Sequence, residues 1–196
     1  MSNSASLIRY SNRKGNNDHR TKGKNMNHIK QIAQGDVTAL AALYEAYKAP
    51  IYRLALSMTK NRDLAEDITQ DTFLKIQEKA KSYRYNGSES AWIYTIARNL
   101  AYDRLRQRRA DHNTEDETLL LQIPSSEGNP ENSEYLFFDL IKSLSAKDSE
   151  IVCLRILADL SFKDIGRITH ASAGSCSKRY GRALDQLRME LSGKTK

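Results

Sequence analysis

Hydrophobic residues recur at three- and four-residue steps through most of this chain, which is the spacing of one helix face. No strand-like alternation of any length competes with this period, so the pattern predicts an all-α protein. We expect Pro50 to bend or interrupt the first long helix, because proline lacks the amide hydrogen that a helix interior needs. The positions of that helix face are Leu40, Leu43, Tyr44, Tyr47, Ile51, Leu54, Ala55 and Met58.

Two further helices follow in the N-terminal half. Asp63 is a predicted N-cap, with Glu66 three residues later completing a capping box. The polar loop over residues 81–90 ends this second helix, and a third begins at about Ser90. The second helix is predicted to bury Ala65, Ile68, Thr72, Phe73 and Ile76, and the third to bury Ile93, Ile96, Ala97 and Leu100.

The chain changes character between residues 111 and 134, where seven acidic residues occur without a Lys or Arg, together with Pro124 and Pro130. This composition predicts a flexible acidic linker. Residues 1–26 are basic and polar, which predicts a disordered extension. The helical pattern resumes from residue 135. We therefore expect two small helical domains, at 27–110 and 135–196, joined by the linker at 111–134.

The C-terminal domain has the pattern of a helix-turn-helix over residues 161–183. Hydroxyl caps at Ser145 and Ser161 each precede a carboxylate by three residues. A short helix follows Ser161, residues 169–171 form a tight break, and Ser172 caps a second helix with polar and basic residues. An ordinary helical hairpin with a solvated basic face explains the same pattern. The candidate DNA-binding residues are Ser172, Ser175, Lys178, Arg179 and Arg182.

The third helix and the loop before it form a second candidate nucleic-acid surface. Cations and an aromatic ring share one side of that helix, an arrangement that can hold phosphates and support an unstacked base. The loop interleaves aromatic and basic residues and includes a glycine, so it could receive an extruded base. The helix residues are Arg98, Asn99, Tyr102, Arg106 and Arg109, and the loop residues are Tyr83, Arg84, Tyr85, Asn86 and Gly87.

Charge and composition limit the classes of function that this chain can have. The 196-residue chain has a formal net charge of +7, which favours an anionic partner. Its apolar runs are far shorter than the roughly 20 residues of a membrane helix, so we expect a cytoplasmic protein without membrane insertion. Cys153 and Cys176 lie in apolar-patterned segments and are interpreted as core residues. No cofactor or metal site is expected, because the four histidines are scattered.

Two segments resemble conserved parts of one protein family. Residues 63–73 (DLAEDITQDTF) and 91–106 (AWIYTIARNLAYDRLR) are similar to region 2 of the extracytoplasmic-function sigma factors of bacterial RNA polymerase. Residues 174–183 (GSCSKRYGRA) resemble the recognition helix of region 4 in that family. The resemblance implies a non-catalytic subunit that directs promoter-specific transcription initiation, in a stress or envelope response.

The resemblance also implies partners and roles for particular residues. Asp67, Gln70, Asp71 and Phe73 would bind the clamp of the largest subunit of core polymerase, and region 4 would meet the flap of the second-largest subunit. The loop at Tyr83 to Gly87 and the third helix would recognise and melt the minus-ten element of promoter DNA. The helix-turn-helix would read the minus-thirty-five element. An anti-sigma factor is a further implied partner.

The chain departs from the family pattern at several places. Region 4 usually begins Leu-Pro, where this chain has Leu144 and Ser145, and a typical alanine is replaced by Gly166. His170 and Ser177 are also unusual residues at their positions. These changes leave the predicted helix-turn-helix intact.

Two other functions compete with this interpretation. A free-standing helix-turn-helix regulator would use the N-terminal domain for dimerisation and bind a duplex site tightly by itself. A nuclease-like enzyme would use Glu66, Asp67 and Asp71 as metal ligands, because carboxylates at that spacing share a helix face. No further His or acid is placed to complete such a site.

Overall fold

The computed structural model describes residues 28–84, 88–111, 141 and 143–193 of the chain. This part is all-α, as predicted, and contains no strand. The N-terminal extension and nearly all of the predicted linker lie outside the described residues. The helices are α1 (His28–Ala33), α2 (Val37–Thr59), α3 (Arg62–Lys79), α4 (Glu89–Asp111), α5 (Ala146–Ile156), α6 (Phe162–Thr169) and α7 (Ala173–Gly193), with a 3-10 turn (Ala80–Ser82) after α3.

Helix α2 runs without interruption through Pro50, so of the two predicted effects, a bend or an interruption, the interruption was wrong. The Asp36 side chain accepts hydrogen bonds from the amides of Thr38 and Ala39, at 2.8 and 3.1 Å, which fixes the start of the helix. Proline removes one backbone hydrogen bond, a loss that buried neighbours such as Ile51 offset by packing.

Helix α3 begins at Arg62, and its cap is Asn61 rather than the predicted Asp63. The Asn61 side chain accepts a hydrogen bond from the Leu64 amide at 2.9 Å. Asp63 instead lies in the first turn, where its negative charge is favourable near the positive end of the helix dipole. The predicted inner face is confirmed, because Ala65, Ile68, Thr72, Phe73 and Ile76 are all buried.

Helices α1 to α4 form a first helical unit, in which α2 packs against α3 and α4. Helices α5 to α7 form a second unit, and its predicted caps at Ser145 and Ser161 are confirmed. Ser145 and Ser161 accept hydrogen bonds from the amides of Asp148 and Asp164, at 3.2 and 3.1 Å. Both cysteines are buried and free, as the pattern predicted.

The two units pack against each other. Helix α5 lies on α2, and α6 contacts α4, so that the buried side chains of both units belong to one connected core. The sequence pattern predicted two domains and a tether but gave no indication of this contact. None of the described helices is both long enough and apolar enough to cross a membrane.

Candidate nucleic-acid interface

The exposed side of α4 forms an open polar groove of about 440 Å³. It is lined by Arg98, Asn99, Tyr102, Asp103 and Arg106, so four of the five residues predicted on this helix face come together. The Arg106 side chain is 81% exposed and lies 3.6 Å from a carboxylate oxygen of Asp103. The side chain of Arg109, the fifth residue, lies outside the described part of the structure.

Two residues of this groove are held by the second helical unit. Arg98 Nε donates a hydrogen bond to Glu150 Oε1 on α5, and the Tyr102 hydroxyl donates to Glu150 Oε2 at 3.1 Å. The Arg98 guanidinium also lies over the Tyr102 ring, 4.4 Å from its centroid. Burial raises the pKa of Tyr102, and the neighbouring Glu150 carboxylate raises it further. Sequence reasoning missed Glu150, because a partner 52 residues away leaves no local signal.

The loop before α4 is described only in part. The Tyr83 ring packs on Trp92, with centroids 4.8 Å apart and planes tilted by 54°. Both rings are half-buried, whereas Arg84 is exposed. Tyr85, Asn86 and Gly87 lie outside the described residues. Tyr83 therefore joins the start of the loop to α4 through an aromatic contact.

Helix α3 presents a second candidate surface on the side away from the core. Asp67 and Gln70 are exposed, as predicted. Asp71 is half-exposed, and its Oδ2 accepts a hydrogen bond from Arg104 Nη2 of α4 at 2.6 Å. Phe73, also predicted here, is only 7% exposed and packs against the Tyr44 ring at 4.8 Å between centroids.

Leu74 is the residue of this surface that sequence reasoning missed. Its side chain is 64% exposed, and it follows Asp67 and Asp71 at helical spacing on the same side of α3. The signal was present in the sequence, because Leu74 is a large apolar residue that the buried face of the helix does not include.

The helix-turn-helix takes the predicted form. His170 ends α6 in a left-handed conformation with φ of 56°, and the Ser172 hydroxyl caps α7 by accepting the Ser175 amide at 3.1 Å. Ser175, Lys178 and Arg182 are exposed. Arg179 instead pairs with Asp148 at the start of α5, with 3.0 Å between Nη1 and Oδ1. Ser172 and Arg179 thus have structural partners within the second unit.

The hypothesis of a metal-dependent nuclease gains no support from the described residues. Within the described ranges, no group of three or more His, Cys, Asp and Glu side chains comes close enough to hold a metal ion. Of the three carboxylates in the nuclease hypothesis, Asp71 is paired with Arg104.

One helical unit has a groove lined by arginine, asparagine and tyrosine side chains, and the other has a helix-turn-helix, so the class is a DNA-binding protein of two helical modules. Comparison with known families identifies both modules. The family model of Sigma-70 region 2 matches residues 43–110, and that of Sigma-70 region 4 matches residues 140–189. The chain is 31% identical to the ECF RNA polymerase sigma factor SigW of Bacillus subtilis (strain 168) over 176 residues, covering 83% of this chain and 94% of SigW. The chain belongs to the extracytoplasmic-function family of RNA polymerase sigma factors.

Solved structures agree with this assignment. The sigma factor RpoE of Bartonella quintana, solved with the anti-sigma factor NepR, superposes with a TM-score of 0.64 at 25% identity. That match covers 80% of this chain and 98% of RpoE. CnrH, solved with the cytosolic domain of CnrY, has the same fold, with a TM-score of 0.63, 20% identity and coverage of 86% and 97%. Because both modules match an RNA polymerase sigma factor family, the free-standing regulator is the less supported alternative.

Proposed function

We propose that this chain is a non-catalytic, cytoplasmic subunit that binds core RNA polymerase through α3 and reads promoter DNA with α4 and α7. The observation that carries the proposal is the presence of exposed arginine or lysine side chains on each helical unit, beside an acidic and apolar face on α3. A promoter-specific initiation factor needs all three surfaces, whereas a free-standing regulator needs only a DNA-binding one.

The polymerase-binding face is assigned to Asp67, Gln70 and Leu74, which combine exposed polar groups with an apolar side chain. This composition suits a protein interface, in which an apolar anchor is surrounded by polar contacts. We assign Asp71 to the same face, where its pair with Arg104 fixes the carboxylate position. Phe73 supports the face from within by packing on Tyr44.

The minus-ten surface is assigned to α4 and the loop before it. Asn99, Arg106 and Arg84 are exposed and available to phosphates or bases. Arg98 and Tyr102 complete the groove, and the sequence pattern adds Tyr85, Asn86, Gly87 and Arg109. Tyr83 holds the loop against Trp92.

The minus-thirty-five surface is assigned to the exposed side of α7. The support for this assignment is that Ser175, Lys178 and Arg182 are exposed, since the first turns of a recognition helix enter the major groove. Ser172 positions the helix through its cap, and Arg179 ties α7 to α5.

An anti-sigma factor is a further proposed partner. The support is the similarity to Bartonella quintana RpoE, which was solved with the anti-sigma factor NepR.

The polymerase-binding face is tested by reconstitution with purified bacterial core RNA polymerase. Asp67→Lys and Leu74→Lys should each weaken binding to core about tenfold or more, because each places an unmatched charge in the interface. Glu45→Lys, an equally large charge reversal at an exposed position of α2, should bind core like the wild type. Asp71→Lys is a poorer probe, because it also breaks the pair with Arg104.

Promoter-dependent transcription by the same reconstituted enzymes provides the second readout. Wild-type binding by Asp67→Lys and Leu74→Lys would refute the assigned face. A wild-type chain that ignores core but binds a duplex site tightly by itself would refute the proposed function and favour the free-standing regulator.

A further inference from the structure

The contact between the two helical units includes a buried ion pair. The Glu150 and Arg98 side chains are only 3% and 14% exposed. Glu150 belongs to α5 of the second unit, whereas Arg98 and Tyr102 belong to α4 of the first. A carboxylate removed from water to this degree is tolerated only when a cation and hydrogen-bond donors surround it. Arg98 and Tyr102 meet that need.

The same two residues line the α4 groove, which is the proposed minus-ten surface. Arg98 Nε and the Tyr102 hydroxyl are both taken up by this carboxylate, and the Arg98 guanidinium covers one face of the Tyr102 ring, so these groups are not open to a promoter strand. Asn99 and Arg106 stay exposed in this arrangement. The second unit therefore occupies one half of the groove and leaves the other half open.

The rest of the contact combines apolar packing of α5 on α2 with several polar groups. The end of α2 brings Ser57 and Lys60 against α5, where both lower the pKa of the Cys153 thiol. Burial lowers the pKa of Lys60. Polar contacts of this kind are typical of domain interfaces that separate, because each group can be solvated again on opening.

We propose that Glu150 is a latch that closes the second helical unit over Arg98 and Tyr102 and competes with single-stranded DNA for them. The proposal rests on the assignment of the α4 groove to DNA. In the closed form, the carboxylate takes the place of an anionic group of the promoter strand. Opening of the latch then precedes full use of the groove, and nucleic acid and Glu150 exclude each other.

The latch is tested in the full chain with two independent readouts. Opening is measured as the iodoacetamide modification rate of Cys153, which faces α2 across the contact, with Cys176 inside the helix-turn-helix as an internal reference. Mass spectrometry of the two cysteine-containing peptides separates the two rates. DNA binding is measured as the Kd for a short fluorescein-labelled single strand of mixed sequence.

Glu150→Gln keeps the shape of the side chain and removes its charge. We expect about tenfold faster modification of Cys153, an unchanged rate at Cys176 and about tenfold tighter single-strand binding, because Arg98 is released. Asp159→Asn removes one negative charge from an exposed position of the same unit and controls for the change in net charge. It should leave the Cys153 rate as in the wild type and shift the Kd much less.

Each contrary result overturns a different claim. A wild-type Cys153 rate in Glu150→Gln refutes the latch, whatever the DNA affinity. A faster Cys153 rate without tighter DNA binding refutes competition for the groove and counts against the DNA assignment of Arg98 and Tyr102. Equal acceleration at Cys153 and Cys176 shows unfolding of the second unit and refutes a domain opening.

Discussion

The absence of a Cβ atom at Gly166 sets the geometry of the helix-turn-helix. A Cβ at this position would lie 2.5 Å from the backbone oxygen of Ala171 and 3.3 Å from the nitrogen of Ala173. These are main-chain atoms of the turn, which cannot move aside as a flexible side chain could. The Ala171 amide also donates to the Gly166 carbonyl at 2.9 Å. The turn therefore lies closer to α6 than a larger residue at position 166 would allow.

Gly166→Ala should therefore destabilise the protein by about 1–3 kcal/mol, because the added methyl group overpacks the turn. Gly181→Ala is the matched control, since a Cβ at Gly181 in α7 would meet nothing within 4 Å. That control should stabilise the protein by about 0.5–1 kcal/mol through helix propensity. Urea unfolding of the three proteins measures both effects. Equal stability of Gly166→Ala and the wild type would show that the turn relaxes at no cost.

At the scale of one element, α7 has two cations that are exposed and one that forms an ion pair within the second unit. Lys178 and Arg182 are exposed on the helix. Arg179, between them in sequence, is half-exposed and pairs with Asp148 across the second unit. The sequence places all three in one basic segment, but only the packing of α7 on α5 distinguishes their roles.

Lys178→Ala and Arg182→Ala should weaken duplex binding by the reconstituted polymerase while leaving thermal stability nearly unchanged. Each should also reduce the salt dependence of binding, by about one unit in the slope of log affinity against log salt, if its cation contacts a phosphate. Arg179→Ala should lower stability by up to about 1 kcal/mol, because a partly exposed ion pair contributes little. Anisotropy titrations on a promoter that the wild type transcribes, with thermal melts, test this division. Lys178→Ala with unaltered affinity and salt slope would remove it from the interface.

At the scale of the whole molecule, the contact between units includes a thiol whose ionisation opposes closure. Burial raises the pKa of Cys153 to about 11, from an ordinary value of 9.0, although Ser57 and Lys60 partly counteract this effect. The buried thiol therefore keeps its proton where the unfolded chain would lose it. The contribution of the Cys153 thiol to the free energy of unfolding is fully present below about pH 9 and is lost as the pH rises towards about pH 11.

The free energy of unfolding should consequently fall by up to about 2 kcal/mol more in the wild type than in Cys153→Ala over this pH range. The comparison is needed because other groups titrate there too. The depressed pKa of Lys60 acts in the opposite direction, whereas the raised pKa values of Tyr47 and Tyr102 act in the same one. Urea unfolding at several pH values measures the difference. Parallel pH profiles for the two proteins would show that Cys153 ionises as freely in the folded chain as in the unfolded one.

The sequence by itself determined the helical class, the inner face of α3, the helix-turn-helix with its caps and the grouping of Arg98, Asn99, Tyr102 and Arg106. These features depend on residues within one or two helical turns of each other, so that periodicity and capping chemistry suffice to predict them. The N-cap of α3 was misplaced by two residues, because Asn61 and Asp63 are both competent caps and only backbone conformation decides between them.

Tertiary structure alone decided which of the predicted side chains are available to bind a partner and which are paired within the protein. Glu150 reaches Arg98 and Tyr102, Arg104 reaches Asp71, and Asp148 reaches Arg179. Each pair joins residues that are more than thirty positions apart or on different helices, and no local pattern encodes such a meeting. The continuity of α2 through Pro50 has the same origin, because packing of neighbouring side chains offsets a local preference. The physical reason is that burial and charge pairing depend on where whole helices lie, whereas sequence periodicity reports only which side of each helix faces inward.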